Sequence, residues 1–195
     1  MDTESSDDRR LDPELLAEGD TRNVVDRYRN WTVEAIVADL DERRHPFHVA
    51  IENFEHDLNI GPVVRSANAF LAAEVHIVGN RRWNRRGAMV TERYQHVRHH
   101  ESIEELVVWA RDNSLPLVGI DNIEGSVPIE TYRLPSACVM LFGQEGPGLS
   151  AAAQEACVDL LAITQFGSTR SINAGAAAAV AMHAWIRQHV FEQLP

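Results

Sequence analysis

The sequence predicts an α/β domain with a mostly parallel sheet and helices on both faces. Three observations carry this reading. Short apolar runs rich in β-branched residues alternate with runs of helical period along most of the chain. The strand-type runs are separated by segments long enough for crossover helices, as parallel neighbours require. Twice near the C-terminus an apolar run (residues 139–142, then 158–163) gives way to a turn rich in glycine and polar residues and then to a helix-type run. Strand–turn–helix junctions are where open α/β sheets bind ligands. Two so close in sequence point to one site made from both turns.

Taken in order, residues 1–20 are polar and acidic and read as a disordered tail. Residues 21–45 read as an N-terminal helical extension. Asp20-Thr21 offers a cap, and Val24, Val25, Tyr28, Trp31, Ile36, Val37 and Leu40 follow at near-helical spacing. This stretch is too short for a core of its own. Residues 46–195 form the main domain. Residues 47–54 are a first strand, and 60–73 a helix carrying Val63, Val64, Ala67 and Phe70. Residues 75–78 are a second strand, and 80–100 a polar connection with room for a short helix. A helix at 103–113 and strands at 117–120 and 137–142 follow. The chain closes with helices at 149–157 and 172–190 around the strand at 158–163. The alanine run 174–181 implies a helix packed closely on another backbone.

The chain has 195 residues, 45% of them hydrophobic, enough for one real core. It contains 18 arginines and no lysine, uniformly along its length, which fits a coding bias better than selection for guanidinium chemistry. The net charge of −11 excludes a simple electrostatic nucleic-acid binder. The first 20 residues hold eight acidic residues and two arginines, so they carry more than half of that charge. Cys138 and Cys157 lie in apolar and small-residue surroundings and read as buried, reduced thiols. No apolar run approaches the roughly 20 residues of a membrane helix, and the acidic N-terminus is not signal-like, so the expected location is cytoplasmic.

Three polar groups stand out. Asn59-Ile60-Gly61-Pro62-x-x-Arg65-Ser66-x-Asn68 opens the helix after the first strand. Asn59 suits an N-cap, and Pro62 suits the first turn. Arg65 sits among positions that read as buried, so its guanidinium needs a partner: an anionic ligand group, or a carboxylate of this chain. Gly143-Gln144-Glu145-Gly146-Pro147-Gly148 has neither the dinucleotide spacing nor the GK[ST] of a P-loop. Glu145 there serves a ligand, or offsets the dipole of the helix that follows. Ser168-Thr169-Arg170-Ser171-Ile172-Asn173 gathers hydroxyl and amide groups at a helix start, the usual place for caps. No GxSxG elbow supports a hydrolase.

Together the three groups, in this order and at these separations, resemble the SpoU/TrmH family of RNA ribose 2′-O-methyltransferases over residues 47–190. The resemblance implies a SPOUT-type domain whose C-terminal segment threads a deep trefoil knot. It implies S-adenosyl-L-methionine as cofactor, a homodimer, and RNA, tRNA or rRNA, as substrate. Asn59, Arg65, Glu145, Ser171 and Asn173 match catalytic positions. Gly143, Ile163 and Ile172, and with them Ile120 at the end of the third strand, match positions whose backbone holds the cofactor. A free guanidinium is an implausible base, so Arg65 is expected to grip a substrate phosphate. A non-catalytic RNA-binding module of the same fold is the alternative. Arg81, Arg82, Trp83, Arg85 and Arg86 form the one dense basic cluster and are expected to contact RNA through phosphate pairing and stacking. His96, His99 and His100 cluster without cysteines or paired acids, so no metal is expected. Leu71 departs from the family pattern, standing where glycine is usual. Asn173 is followed by Ala-Gly-Ala where Val-Ser-Val is common.

Overall fold

The computed structural model describes residues 9–54, 58–193 and 195. It divides into two compact units, residues 1–44 and 45–195.

The first unit corrects the expected disordered tail wherever it is described. Residues 1–8 lie outside the described residues. Pro13–Glu18 is a short helix, α1. Asp12 caps it by accepting from the amides of Glu14 and Leu15, Pro13 opens it, and Gly19 ends it at φ 90°. Strong stop and start signals make a helix here without any buried residue. Asp20 is not a helix cap. Its carboxylate accepts from Arg22 Nε (2.9 Å), Arg22 Nη2 (2.7 Å), and the amides of Arg22 and Asn30 (2.9 Å each). These bonds hold its pKa well below the usual carboxylate range, the Arg22 side chain contributing most. A 3₁₀ turn follows at Asp26–Tyr28, then α2 at Val33–Asp41, capped by Thr32.

Among the described residues the second unit holds seven strands: β1 (Phe47–Asn53), β2 (Val75–Gly79), β3 (Val97–His100), β4 (Leu117–Ile120), β5 (Val127–Pro128), β6 (Cys138–Phe142) and β7 (Asp159–Ala162). All pairings are parallel, in the order β3-β2-β1-β6-β4-β7-β5. Among the same described residues are four α-helices: α3 (Ile60–Ala69), α4 (Ile103–Asp112), α5 (Ala151–Ala156) and α6 (Ala174–His189). β1, β4 and β6 bury side chains on both faces. Phe47, Val49, Ile51, Met140 and Phe142 pack with residues of α3 and α6. Ala50, Val139 and Leu141 pack with residues of α4 and α5. The period-2 alternation of each strand thus feeds two cores, one on each side of the sheet.

The region 80–100 departs most from expectation. It forms 3₁₀ turns at Arg85–Ala88 and Thr91–Arg93 and then edge strand β3. The strand reads Val-Arg-His-His and has no apolar alternation. Its place comes from pairing with β2, an interaction that local pattern does not encode.

Close packing explains several small residues. A Cβ at Gly61 would stand 2.7 Å from the Ala88 amide nitrogen, and one at Gly175 2.9 Å from Pro62 Cβ. α3 is therefore pressed between the 85–88 turn and α6. The expected close backbone approach of the alanine run is found there, with Ala178 and Ala181 buried. α3 stops at residue 69, short of the expected 73. Leu71 lies in the left-handed region (φ 57°) as the reversing residue of a Schellman turn: Ala72 N–H donates to Ala67 O (2.9 Å) and Leu71 N–H to Asn68 O (3.2 Å). This is the conformation glycine adopts without cost, which gives a physical reason for the glycine usual at this position.

Cys138 is buried and Cys157 half-buried, both free, and burial pushes each thiol up to about 12. Among the described residues no helix is long and apolar enough to cross a membrane.

Candidate active site

A cleft opens at the carboxyl ends of β4, β6 and β7. Its walls come from three chain segments: Ile120, Asp121 and Asn122 at the end of β4; residues 142–146 and Gly148 at the end of β6; and Ile163, Gln165 and residues 171–174 after β7. This is the crevice where parallel α/β sheets take ligands. Gly143, Ile163, Ile172 and Ile120, expected to hold a cofactor, all line it, as do Glu145, Ser171 and Asn173.

The loop after β6 is closed on itself. Gln144 and Gly148 exchange both backbone hydrogen bonds, at 3.1 and 3.0 Å. Gly143 has no room for a side chain, since a Cβ would lie 2.0 Å from the Gly148 carbonyl carbon. Gly148 has φ +74°, and a Cβ there would meet Asp121 Oδ2 at 2.3 Å. Gly146 has φ +97°, so all three glycines in this turn are required by packing or conformation. Asp121 Oδ2 accepts from the Leu149 amide (2.8 Å), and buried Glu52 from the Ser150 amide (2.8 Å). Both carboxylates pin the loop to the strand ends. Asn122 Nδ2 donates to the Arg170 carbonyl (3.1 Å), fixing the third wall.

The three groups singled out in the sequence meet through side chains. Asn59 Nδ2 donates to Glu145 Oε2 (2.8 Å), and Asn173 Nδ2 donates to Asn59 Oδ1 (2.7 Å). Asn173 Oδ1 also caps α6 by accepting from the Ala176 amide (3.2 Å). One capping reading is corrected here, and Glu145 has a side-chain partner that neither of its readings named. Asn59 holds the cap position of α3 but makes no side-chain cap bond; its amide is buried between the other two groups. Glu145 turns to Asn59, and the cap of α5 is Ser150. Ser171 lies outside α6, which begins at Ala174 rather than 172, and is exposed in the cleft wall.

Arg65 is the main correction. Its neighbours Val63, Val64 and Ala67 are buried as expected, but its own side chain is exposed and does not line the cleft of its own chain. Ile60, Val63, Val64 and Ala67 form the buried stripe of α3, and at 100° per residue Arg65 falls on the far side. Among the described residues no hydrogen bond or ion pair holds it.

The basic loop follows β2 on the same edge of the sheet. Asn53 at the end of β1 fixes it by donating to the carbonyls of Asn80 (2.6 Å) and Arg82 (3.0 Å). Arg81, Arg82, Arg85 and Arg86 are exposed. Trp83 is half-buried against the core, with the Arg85 guanidinium 5.8 Å from its ring centroid. Its first role is packing, which leaves the arginines as the polar face. Sequence reasoning missed Asp121, Gln165, Glu52 and Asn53. The signal for all four was their place at or just beyond a strand's carboxyl end.

The fold and cleft define an α/β domain with a ligand site at the strand ends, built around an interlocked glycine-rich turn. Comparison then fixes the family. The profile of the SpoU rRNA Methylase family matches residues 46–183. A tRNA/rRNA methyltransferase of Mycolicibacterium vanbaalenii, itself uncharacterised, is 32% identical over 147 residues, 72% of this chain and 46% of that protein. Among solved structures, the SpoU methyltransferase AviRb of Streptomyces viridochromogenes, in complex with AdoMet, superposes with a TM-score of 0.69 at 24% identity, covering 78% of this chain and 61% of that one. The A. aeolicus TrmH/SpoU tRNA modifying enzyme gives 0.72 at 16% identity, covering 82% and 83%. This chain belongs to the SpoU rRNA methylase family. It spans about half the length of the curated relatives it matches.

Proposed function

We propose that this protein is an RNA methyltransferase that moves a methyl group from S-adenosyl-L-methionine to a ribose 2′-hydroxyl of tRNA or rRNA. The observation that carries the proposal is the Glu145–Asn59–Asn173 hydrogen-bond chain on the rim of the cleft. It joins the three sequence groups that no shared secondary element connects. The AdoMet complex of the related AviRb supports the choice of cofactor.

The lining suits that cofactor. Ile120, Phe142, Ile163 and Ile172 offer an apolar wall for a purine, while Asn122, Gln144, Glu145 and Gln165 offer polar groups and one carboxylate for a cationic amino-acid moiety. The backbone around Gly143, Ile163 and Ile172 would hold it. When bound, it supplies an electrophilic methyl group on a sulfonium centre. The chain's own residues then bind and orient. Asn59 holds Glu145 and Asn173 in one arrangement, and Ser171 faces the same space, so a ribose entering there meets fixed donors and acceptors. Arg65 grips a substrate phosphate and stabilises the developing alkoxide, as a charge and not as a base. Its exposure on α3, away from its own cleft, is what a homodimer requires if Arg65 of one protomer is to reach the cleft of the other. Phe166, 96% exposed on the β7–α6 segment, is an apolar group such a seam would cover. The arginines of the 81–86 loop extend the RNA contact. The fold part of the proposal is that residues after β6 thread a trefoil knot. The tethering of Asp121 and Asn122 to both later loops supports it, and tracing the chain in an experimental structure tests it.

The test is methyl transfer from labelled cofactor to total RNA of a strain lacking the protein, with the modified nucleotide mapped. A 2′-O-methylated ribose is expected. On the mapped substrate, Arg65→Lys should lower kcat by at least tenfold, because an ammonium cannot reproduce bidentate phosphate contact. A base-methylated product would overturn the ribose assignment, and unchanged kcat would overturn the guanidinium role.

A further inference from the structure

The histidines adjacent in sequence are not the ones that meet in space. His48 on β1, His76 on β2 and His100 on β3 line up across the sheet under Trp109 of α4. His48 Nδ1 lies 3.1 Å from His76 Nε2, and His76 Nδ1 lies 2.9 Å from His100 Nε2. Glu74, just before β2, places Oε2 3.8 Å from the same His76 Nε2.

We propose that His48, Glu74 and His76 form a binding site for a divalent transition-metal ion of the zinc class, at the amino ends of β1 and β2. The cleft lies at the carboxyl ends of other strands, so the two sites are separate.

Geometry is the first argument. One ligand atom from each residue lies within 4.8 Å of the other two. Ligands about 2.0–2.1 Å from a tetrahedral zinc ion stand roughly 3.3 Å apart. The separations of 3.1 and 3.8 Å bracket that value, and the third, within 4.8 Å, closes by movement of the half-buried His48 and Glu74 side chains. Protonation is the second. His76 Nε2 ligates only if its proton sits on Nδ1, and His100 Nε2 is placed to accept that proton's hydrogen bond, the usual outer-shell device for setting a ligand's tautomer. Access is the third. His76 is buried, but His48 and Glu74 are half-buried, which leaves a path for the ion and for water as fourth ligand. Arg98 binds the Glu74 carboxylate at 3.0 Å (Nη2–Oε1) and 3.2 Å (Nε–Oε2). It orients that ligand and also weakens the site by its charge. Two imidazoles and one carboxylate favour zinc-class ions over calcium or magnesium, which prefer all-oxygen sets.

Calorimetric titration of the untagged full chain, stripped by chelator, with Zn²⁺ alone should give one ion per chain. His48→Gln and Glu74→Gln should each weaken binding by at least about tenfold, and Zn²⁺ should raise the Tm of the wild type more than that of either variant. On the wild type, Co²⁺ should broaden the ring NMR signals of His48 and His76 and spare those of exposed His96 and His183. Absence of stoichiometric binding would overturn the proposal. So would wild-type affinity in both variants, or broadening confined to the exposed histidines.

Discussion

Asn59 is where the site is most exposed to a single change. It is 5% exposed, donates to Glu145 at 2.8 Å and accepts from Asn173 at 2.7 Å. Asn59→Ala removes both bonds. A hydrogen bond to a charged group contributes about 1.5–3 kcal/mol and a neutral one about 0.5–1.5 kcal/mol. Glu145 and Asn173 are exposed and regain water when Asn59 is lost. The net cost should therefore sit low in the combined range, at about 2 kcal/mol. The functional loss should be larger than that stability change implies, because two groups of the site lose their fixed positions. A fall in kcat/KM of about 10²-fold is expected. A double-mutant cycle with Glu145→Gln isolates the pair. Urea unfolding of wild type, both single variants and the double variant should give a coupling of about 1 kcal/mol. The same cycle on methyl transfer should show the two substitutions far from additive. A coupling within about 0.3 kcal/mol of zero, with additive kinetics, would refute the reasoning that these loops act as one unit.

Gly143→Ala should destabilise the chain by about 1–3 kcal/mol and abolish cofactor binding, since its Cβ would overlap Gly148 backbone at 2.0 Å. Calorimetry with S-adenosylmethionine reads this, and near-normal affinity would show that the loop opens freely. Replacing Arg81, Arg82, Arg85 and Arg86 by serine should weaken RNA binding and lower the salt slope by about 3, at 0.7–0.9 per phosphate contact. An unchanged slope would remove this loop from the RNA surface. The lowered pKa of Asp20 gives the first unit an acid-sensitive element. Its contribution is present above the unfolded carboxylate value of about 3.9. It fades as pH falls through the still lower folded value. Hydrogen exchange at the Asn30 amide should rise over that window in the wild type, and Asp20→Asn should remove the pH dependence. Persistence of the wild-type profile in Asp20→Asn would assign it to another group.

The elements most legible in the sequence were those buried on both sides. β1, β4 and β6 sit in the middle of the sheet, so nearly every side chain is apolar and the run declares itself. Their alternate residues feed two cores, which is why helices on both faces could be inferred from the strands. β3 was illegible for the converse reason. It is an edge strand of Val-Arg-His-His, placed by backbone pairing with β2 and by the side chains of His76 and His100. α1 was missed because an acidic composition outweighed the local signals Asp12-Pro13 and Gly19, which sufficed to start and stop it.

The sequence by itself determined the chain of strand–turn–helix junctions, the glycine-rich turn at 143–148 and the three polar groups that hold residues 59, 145 and 173. Such features are local, or belong to a recognisable set, and leave marks on residue type. Tertiary structure alone decided where each side chain points. Arg65 read as buried from its apolar neighbours, yet one step of 100° around α3 turns it to solvent. Asn59 read as a cap and Glu145 as a ligand contact or a dipole partner, and only their 2.8 Å contact made them partners. Direction is set by how helices rotate against a sheet and how loops close on one another. Those are sums over many distant contacts, and no single stretch of chain carries them.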